Sequence, residues 1–340
     1  MPEPNALLAL DIGGANLKAA DGQGFALSHS FALWKSPNRL AEALMGLLQK
    51  APPAKALVAT MTGELADCYL TKADGVRAIL RALSEVAAGR PLSVYLTDGE
   101  FVSAAEAAER PLAAASSNWR AVAQFSARYL PDGNGLLIDI GGTTCDVIPI
   151  ADGIPATAGL TDPDRLASGE LIYTGVVRSP VCAVAAAIPW RGAQCPTAHE
   201  LFATTQDAYL TLGDLSEDAS DTATADGRPA TREAARDRLA RSICADREMF
   251  SDADALAAAD AIRTSQAAKL AIPIRSVIGR MAVKPTTVVL SGQGEFLARR
   301  VLERLRMELQ LVSLAEKLGP DVSRCAPAHA LAVLAMEAGR

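Results

Sequence analysis

The chain has 340 residues, of which 50% are hydrophobic and only 4% aromatic, and its formal net charge is −6. That length exceeds one ordinary core and suits two domains of ~100–200 residues each, with Ala, Leu and Val left to fill the interior of an α/β protein. An acidic chain holds out no electrostatic invitation to nucleic acid or an anionic membrane surface, and its longest apolar run, residues 181–190, falls far short of the ~20 residues that span a bilayer.

At the start, Met1-Pro2-Glu3-Pro4-Asn5 carries no basic leader, so a secretory signal is not expected and a cytoplasmic location is. Residues 6–11, 17–20 and 25–34 read as three strands of an antiparallel meander, the last alternating Phe25, Leu27, Phe31, Leu33. A helix is predicted from Ser36 to about Lys50, a buried strand over 56–61, a helix over 75–88 and a strand over 91–96. A meander feeding a parallel, helix-covered sheet predicts a mixed sheet. A long Ala-rich helical region covers 103–130.

Breakers at Pro131-Asp132-Gly133-Asn134-Gly135 then mark a boundary, giving domains 1–134 and 135–340. Strands are predicted at 135–139, 144–150 and 154–158, so the opening pattern recurs and the fold reads as duplicated. A helical insertion spans about 160–280. Within it, 198–212 reads as a helix, 215–231 as an exposed loop, and 252–279 as a helix interrupted near Pro273. A strand at 286–290, a helix over 294–311, and a last helix over 327–338 that packs back toward the N-terminal domain complete the second half.

The two halves share one element. Asp11-Ile12-Gly13-Gly14 and Asp139-Ile140-Gly141-Gly142-Thr143-Thr144 each place a Gly-Gly turn between two strands, where backbone N–H groups can approach phosphate oxygens with no Cβ in the way. Asp11 and Asp139 stand at strand ends suited to a hydrated Mg²⁺. Thr143 and Thr144 add hydroxyls, Asn16 and Lys18 add polar groups to the first loop, and Gly292 and Gly294 lie in a third loop, Ser291-Gly292-Gln293-Gly294.

These loops resemble those of the hydantoinase A/5-oxoprolinase branch of the actin/sugar-kinase/Hsp70 superfamily. The segments 61–67, 168–180 and 202–207 resemble its short subgroup linked to tetrahydromethanopterin-dependent one-carbon transfer and methanofuran biosynthesis. The resemblance implies two actin-like (ribonuclease H-like) domains with a cleft between them. It also implies a Mg²⁺-dependent transferase joining an aminomethylfuran-methyl diphosphate to the phenol oxygen of γ-glutamyltyramine or a tyrosine analogue, with release of pyrophosphate. Its partners would be the diphosphate and the phenolic acceptor, with a homodimer compatible and the oligomeric state open. Ala15-Asn16, where ATP-using relatives usually offer Thr or Ser, and the short chain weigh against the alternative of an ATP-dependent kinase or amidohydrolase. A non-catalytic sensor is a third reading.

Roles follow as expectations. Glu64 and Asp67 are candidate bases for the phenol, whose reference pKa is ~10; alternatively Glu64 opens the next helix. Asp146 is a base or metal-shell candidate, or a surface ion pair. Arg178 binds phosphate, or braces the insertion by a salt bridge. Asp207 is a weaker substrate-contact candidate, whereas Tyr209 and the isolated His29, His199 and His329 read as structural. The six cysteines, at 68, 145, 182, 195, 244 and 325, include no Cys-x-x-Cys pair and read as free thiols. Cys182, Cys195 and His199 match no familiar zinc spacing.

Overall fold

A computed structural model of the chain describes residues 5–340. The leader reading of residues 1–4 lies outside the described residues. The N-terminal sheet is built from β1 (Asn5–Ile12), β2 (Asn16–Ala20), β3 (Ala26–Ser30), β4 (Ala54–Met61), β5 (Leu92–Tyr95) and β6 (Phe101–Ser103) in the order β3-β2-β1-β4-β5-β6. The meander β1-β2-β3 is antiparallel, and β4 and β5 add in parallel to β1. The second sheet repeats the plan with β7 (Gly135–Ile140), β8 (Cys145–Ala151), β9 (Ile154–Pro155) and β10 (Leu171–Ile172). A small hairpin of β11 (Ala187–Trp190) and β12 (Ala193–Pro196) precedes β13 (Thr287–Ser291) and β14 (Gln310–Ser313), and the sheet order is β10-β8-β7-β13-β14.

Alternation along the strands decides how the layers meet. Leu8, Leu10 and Ile12 of β1 join Leu57, Ala59 and Met61 of β4 in a core under the helices Leu40–Leu48 and Lys72–Ala87. Leu7 and Ala9, on the opposite face, enter a second core with Leu137 of β7, Ile148 and Ile150 of β8, and Val289 of β13. The helices Asn118–Ser126 and Ala326–Glu337 lie in that shared core, and the second packs on β1, β2 and β4. Their buried faces carry Ala121, Ala123, Ala326, Ala330, Ala332 and Ala335, small enough to let helix backbones approach a sheet closely. Leu136, Ile138 and Ile140 face a third core under the long helix Asp252–Arg280.

Several local expectations are corrected: the third strand ends at Ser30 and gives way to a 3₁₀ turn over Leu33–Lys35, the helix read over 198–212 begins at Thr205, and the insertion read as helical also carries β10, β11 and β12. The 103–130 region is three short α-helices and a closing 3₁₀ turn, broken at Pro111 and at Ser116, which adopts a left-handed φ of 51°. The long helix runs unbroken through Pro273. An interior proline costs ~3 kcal/mol, but Ile262, Leu270, Ile274 and Val277 are all buried, and burial of such side chains is worth about 1.5–3 kcal/mol each. The helix predicted over 294–311 ends at Leu305, because Arg306 turns left-handed at φ 54°, and the chain then forms β14 parallel to β13. A terminator of this kind is usually glycine, so the sequence carried no signal of it.

Candidate functional site

Both Gly-Gly loops are closed the same way. Gly13 N–H donates to Asn16 O (3.0 Å), and Gly141 N–H to Thr144 O (2.9 Å). In neither loop do the next two N–H groups, of Gly14 and Ala15 or of Gly142 and Thr143, donate to a protein acceptor among the described residues. Those four N–H groups are therefore available to an anion.

Each loop is buttressed by a neighbouring turn. Thr62 and Gly63 N–H groups both donate to Ile12 O (2.9 Å each), and a Cβ on Gly63 would lie 3.2 Å from Gly13 backbone. Val176 donates to Gly141 O, and Val177 and Arg178 both donate to Gly142 O. A Cβ on Gly175 would lie 2.4 Å from Thr143 N and 2.5 Å from Gly141 O. Two of the three segments singled out in the sequence, 61–67 and 168–180, thus hold the backs of the two loops. In the third loop, a Cβ on Gly292 (φ +82°) would meet Ile140 O and Asp139 Oδ1, and one on Gly294 would meet the Ile140 side chain. The protein's own second loop occupies the space these glycines leave open.

The strand registers show how the duplicated loops differ. Asp11 faces Lys18 across β1 and β2, whereas Asp139 faces Asp146 across β7 and β8. Lys18 Nζ lies 3.7 Å from Asp11 Oδ2, while Asp11 Oδ1 is buried with no hydrogen-bond partner. Burial pushes the Asp11 carboxyl up, against the pull of Lys18. Asp139 is half-buried, yet its carboxyl is pushed up to about 7, by desolvation first and by Asp146 second, with Lys18 opposing. Lys18 therefore pairs with Asp11 and also opposes the upward shift of Asp139. Asp146 is itself neutralised by Arg165, in a buried pair, and Arg165 lies over the Trp119 ring (4.2 Å to the centroid). Asp146 is a buried ion pair rather than a surface one.

Asp11 and Asp139 suit a hydrated cation. The orphaned Asp11 oxygen lacks a protein donor, and no group of three or more His, Cys, Asp or Glu that could hold a metal occurs among the described residues. Such an ion would lean on water and substrate oxygens, which suits Mg²⁺.

The remaining candidates separate. Arg178 is exposed and makes no ion pair among the described residues, so of its two expected roles the salt bridge to the insertion is replaced by a stack over Trp34, 4.8 Å to the ring centroid. Glu64 does not open a helix, since the next one is capped by Thr71. It is fully buried, with Ser116 Oγ 2.8 Å from its Oε1 and Lys72 Nζ at 3.7 Å. Burial pushes its carboxyl up, only partly offset by a backbone hydrogen bond, Lys72 and Ser116. Asp67 is exposed and has no hydrogen bond or ion pair among the described residues. Asn16 is exposed, contributing its carbonyl to the turn. Thr143 and Thr144 are half-buried in the second loop. Asp207 is withdrawn from substrate contact, because it caps its own helix through Thr204 N–H and pairs with buried Arg238 at 2.7 Å. Tyr209 is core, its hydroxyl donating to Gln266 Oε1.

Sequence reasoning missed Trp34, Lys72, Ser116, Asp162 and Arg165. Asp162 and Lys72 each follow a helix-capping threonine, a signal that announces a helix start and nothing of a contact between domains.

Two loops with unengaged N–H groups and an acid at the head of each, set in mixed sheets that repeat one plan, give the chain an actin-like α/β fold. A solved acetone carboxylase in its nucleotide-free form shares the fold, with a TM-score of 0.54 at 13% identity over 97% of this chain and 70% of that one. The hydantoinase/oxoprolinase family model matches residues 55–338, and the chain belongs to that family. It is 36% identical, over 96% of this chain and 97% of the relative, to the (4-{4-[2-(gamma-L-glutamylamino)ethyl]phenoxymethyl}furan-2-yl)methanamine synthase of Methanocaldococcus jannaschii. A synthase of the same name from Methanococcus vannielii is 29% identical over 60% of this chain and 91% of that protein.

Proposed function

We propose that this chain is a transferase of methanofuran-type cofactor biosynthesis. It would join an aminomethylfuran-methyl diphosphate to the phenol oxygen of γ-glutamyltyramine, or a tyrosine analogue, breaking the carbon–oxygen bond to the diphosphate and releasing pyrophosphate, with the phenol proton taken up by exposed Asp67 or by the departing diphosphate. The observation that carries the reading is the near full-length similarity to the Methanocaldococcus jannaschii synthase. The product in that name is an aryl ether of a furfuryl carbon. Forming it requires a phenol oxygen, an electrophilic furfuryl carbon and a leaving group, and the paired loops suit a diphosphate in that role.

The chemistry follows from the residues. A furfuryl carbon ionises readily because the ring oxygen shares the developing positive charge, so the main task is to accept charge on the departing diphosphate. The N–H groups of Gly14, Ala15, Gly142 and Thr143 would bind its oxygens, with Thr143 and Thr144 hydroxyls, Lys18 and Arg178 adding donors and positive charge. Asp11 and Asp139 would hold Mg²⁺, which when bound supplies further charge neutralisation to the diphosphate. Domains 1–134 and 135–340 each contribute one loop and one acid, so closing the cleft around the substrate also excludes water from the electrophilic carbon. The protein works in the cytoplasm on this reading, with two small molecules as its partners.

The test is incubation of the purified chain with the furan diphosphate, γ-glutamyltyramine and Mg²⁺. Stoichiometric ether and pyrophosphate are expected. Absence of both, with acceptor-dependent release of ADP from ATP instead, would replace this reading with an ATP-dependent one.

A further inference from the structure

Ser116 joins two carboxylates from different parts of the molecule. Its Oγ lies 2.8 Å from Glu64 Oε1 and 2.7 Å from Asp162 Oδ2. Glu64 follows the Thr62-Gly63 turn that braces the first loop, and Asp162 opens the helix Asp162–Ser168 of the second domain. Both separations are hydrogen-bond distances, yet a hydroxyl carries one proton and can donate to only one acceptor. Two ionised carboxylates against the same oxygen would leave one contact with no hydrogen in it. The arrangement balances when one carboxyl is protonated and donates to Ser116, which in turn donates to the other.

The surroundings decide which one. Asp162 is in direct contact with the Lys72 ammonium, has Arg165 Nη1 4.0 Å from its other oxygen, and sits in the first turn of a helix, all of which favour negative charge. Glu64 is fully buried, stands 3.7 Å from the same ammonium, and its Oε2 has no hydrogen-bond partner. An ionised carboxylate with a bare buried oxygen is much costlier than a neutral acid there. Ser116 holds its bridging position in a left-handed conformation, φ 51°, which non-glycine residues adopt rarely.

We propose that the two carboxyls hold one acidic proton between them, carried by Glu64 and donated to Ser116 while the Ser116 hydroxyl donates to Asp162, making Glu64 a neutral positioning residue that fastens the second domain against the first loop's brace. The assignment removes Glu64 from the candidate bases. Ionising it would leave two negative carboxyls on one hydroxyl, and the contact between the domains would loosen. Lys72, Arg165, and Asp146 behind Arg165 are the other charged groups at this junction. The inference does not depend on which reaction the cleft performs.

The experiment is infrared difference spectroscopy of the full chain at neutral pH, wild type against Glu64→Gln. A protonated-acid carbonyl band present only in the wild type is expected; a difference confined to carboxylate bands would overturn the proposal. The glutamine amide can donate to Ser116 as the acid does, so Glu64→Gln should fold and keep its thermal midpoint within about 2 °C. A variant that does not fold counts equally against the idea. Amide hydrogen exchange over residues 160–168 supplies the readout that simple loss of packing would not reproduce. Protection, corrected for the intrinsic base-catalysed rate, should fall about tenfold in the wild type as the pH is raised and be about tenfold lower at all pH values in Ser116→Ala, while in Glu64→Gln it stays flat with pH; an equal change of protection with pH in wild type and Glu64→Gln overturns it.

Discussion

At the scale of single residues, the glycines of the site do two different jobs. A Cβ at Gly14 would have nothing within 4 Å, whereas one at Gly175 would strike the backbone of the second loop from 2.4 Å. Gly175→Ala should therefore destabilise the protein by about 1–3 kcal/mol, the usual range for overpacking, and displace Gly142 and Thr143. Pyrophosphate affinity should fall by about tenfold or more by calorimetry, while Gly14→Ala should leave stability within about 0.5 kcal/mol of wild type. Arg178 offers the complementary case. Its guanidinium is exposed and stacked on Trp34, with no carboxylate partner among the described residues, so Arg178→Met should leave the denaturation midpoint in place. Losing one charged donor, worth about 1.5–3 kcal/mol, should still weaken pyrophosphate binding by about tenfold or more. The Gly-Gly turns and their acids were legible as a motif. The asymmetry between them was not, since Lys18 and Asp146 become equivalent only through the strand registers that set each opposite its acid.

At the scale of elements, most strands announced themselves by apolar runs closed by turns. The errors fall where tertiary packing or an unsignalled backbone conformation overrode local preference, as at Pro273, Ser116 and Arg306. The terminal helix Ala326–Glu337 carries a consequence of burial that is testable by pH. His329 is 6% exposed and stacks edge-on against Phe125, with ring centroids 5.3 Å apart. Burial holds its imidazolium form below the usual value of 6.5. The sign is fixed: above the unfolded pKa of ~6.5 the ring is neutral in both states and the full stability is present. As the pH falls below that value the unfolded chain takes up a proton first, and stability is lost until the folded pKa is passed. Thermal midpoints between pH 7.5 and 5 should fall more steeply for wild type than for His329→Leu.

At the scale of the whole molecule, the two sheets share an apolar core, and the Lys72–Asp162 ion pair and the stack of Arg165 on Trp119 join their flanking elements. Arg165 is 1% exposed, pairs with Asp146 behind Asp139, and lies over Trp119 of the helix between the sheets. Arg165→Met should cost about 3–5 kcal/mol in urea denaturation, because it leaves a buried carboxylate without its partner. Arg165→Met with Asp146→Leu should recover much of that loss; a double variant no more stable than the single one would show that Asp146 does not set the penalty. The sequence by itself determined the duplicated α/β plan and the two Asp-Ile-Gly-Gly loops, because both are written in local periodicity and in glycines at turns. Only the tertiary structure decided which acid faces Lys18, that Arg178 meets Trp34, and that Glu64 and Asp162 meet at Ser116. Those contacts join residues 46 to 144 positions apart in the chain or depend on strand register, and local sequence carries neither kind of information.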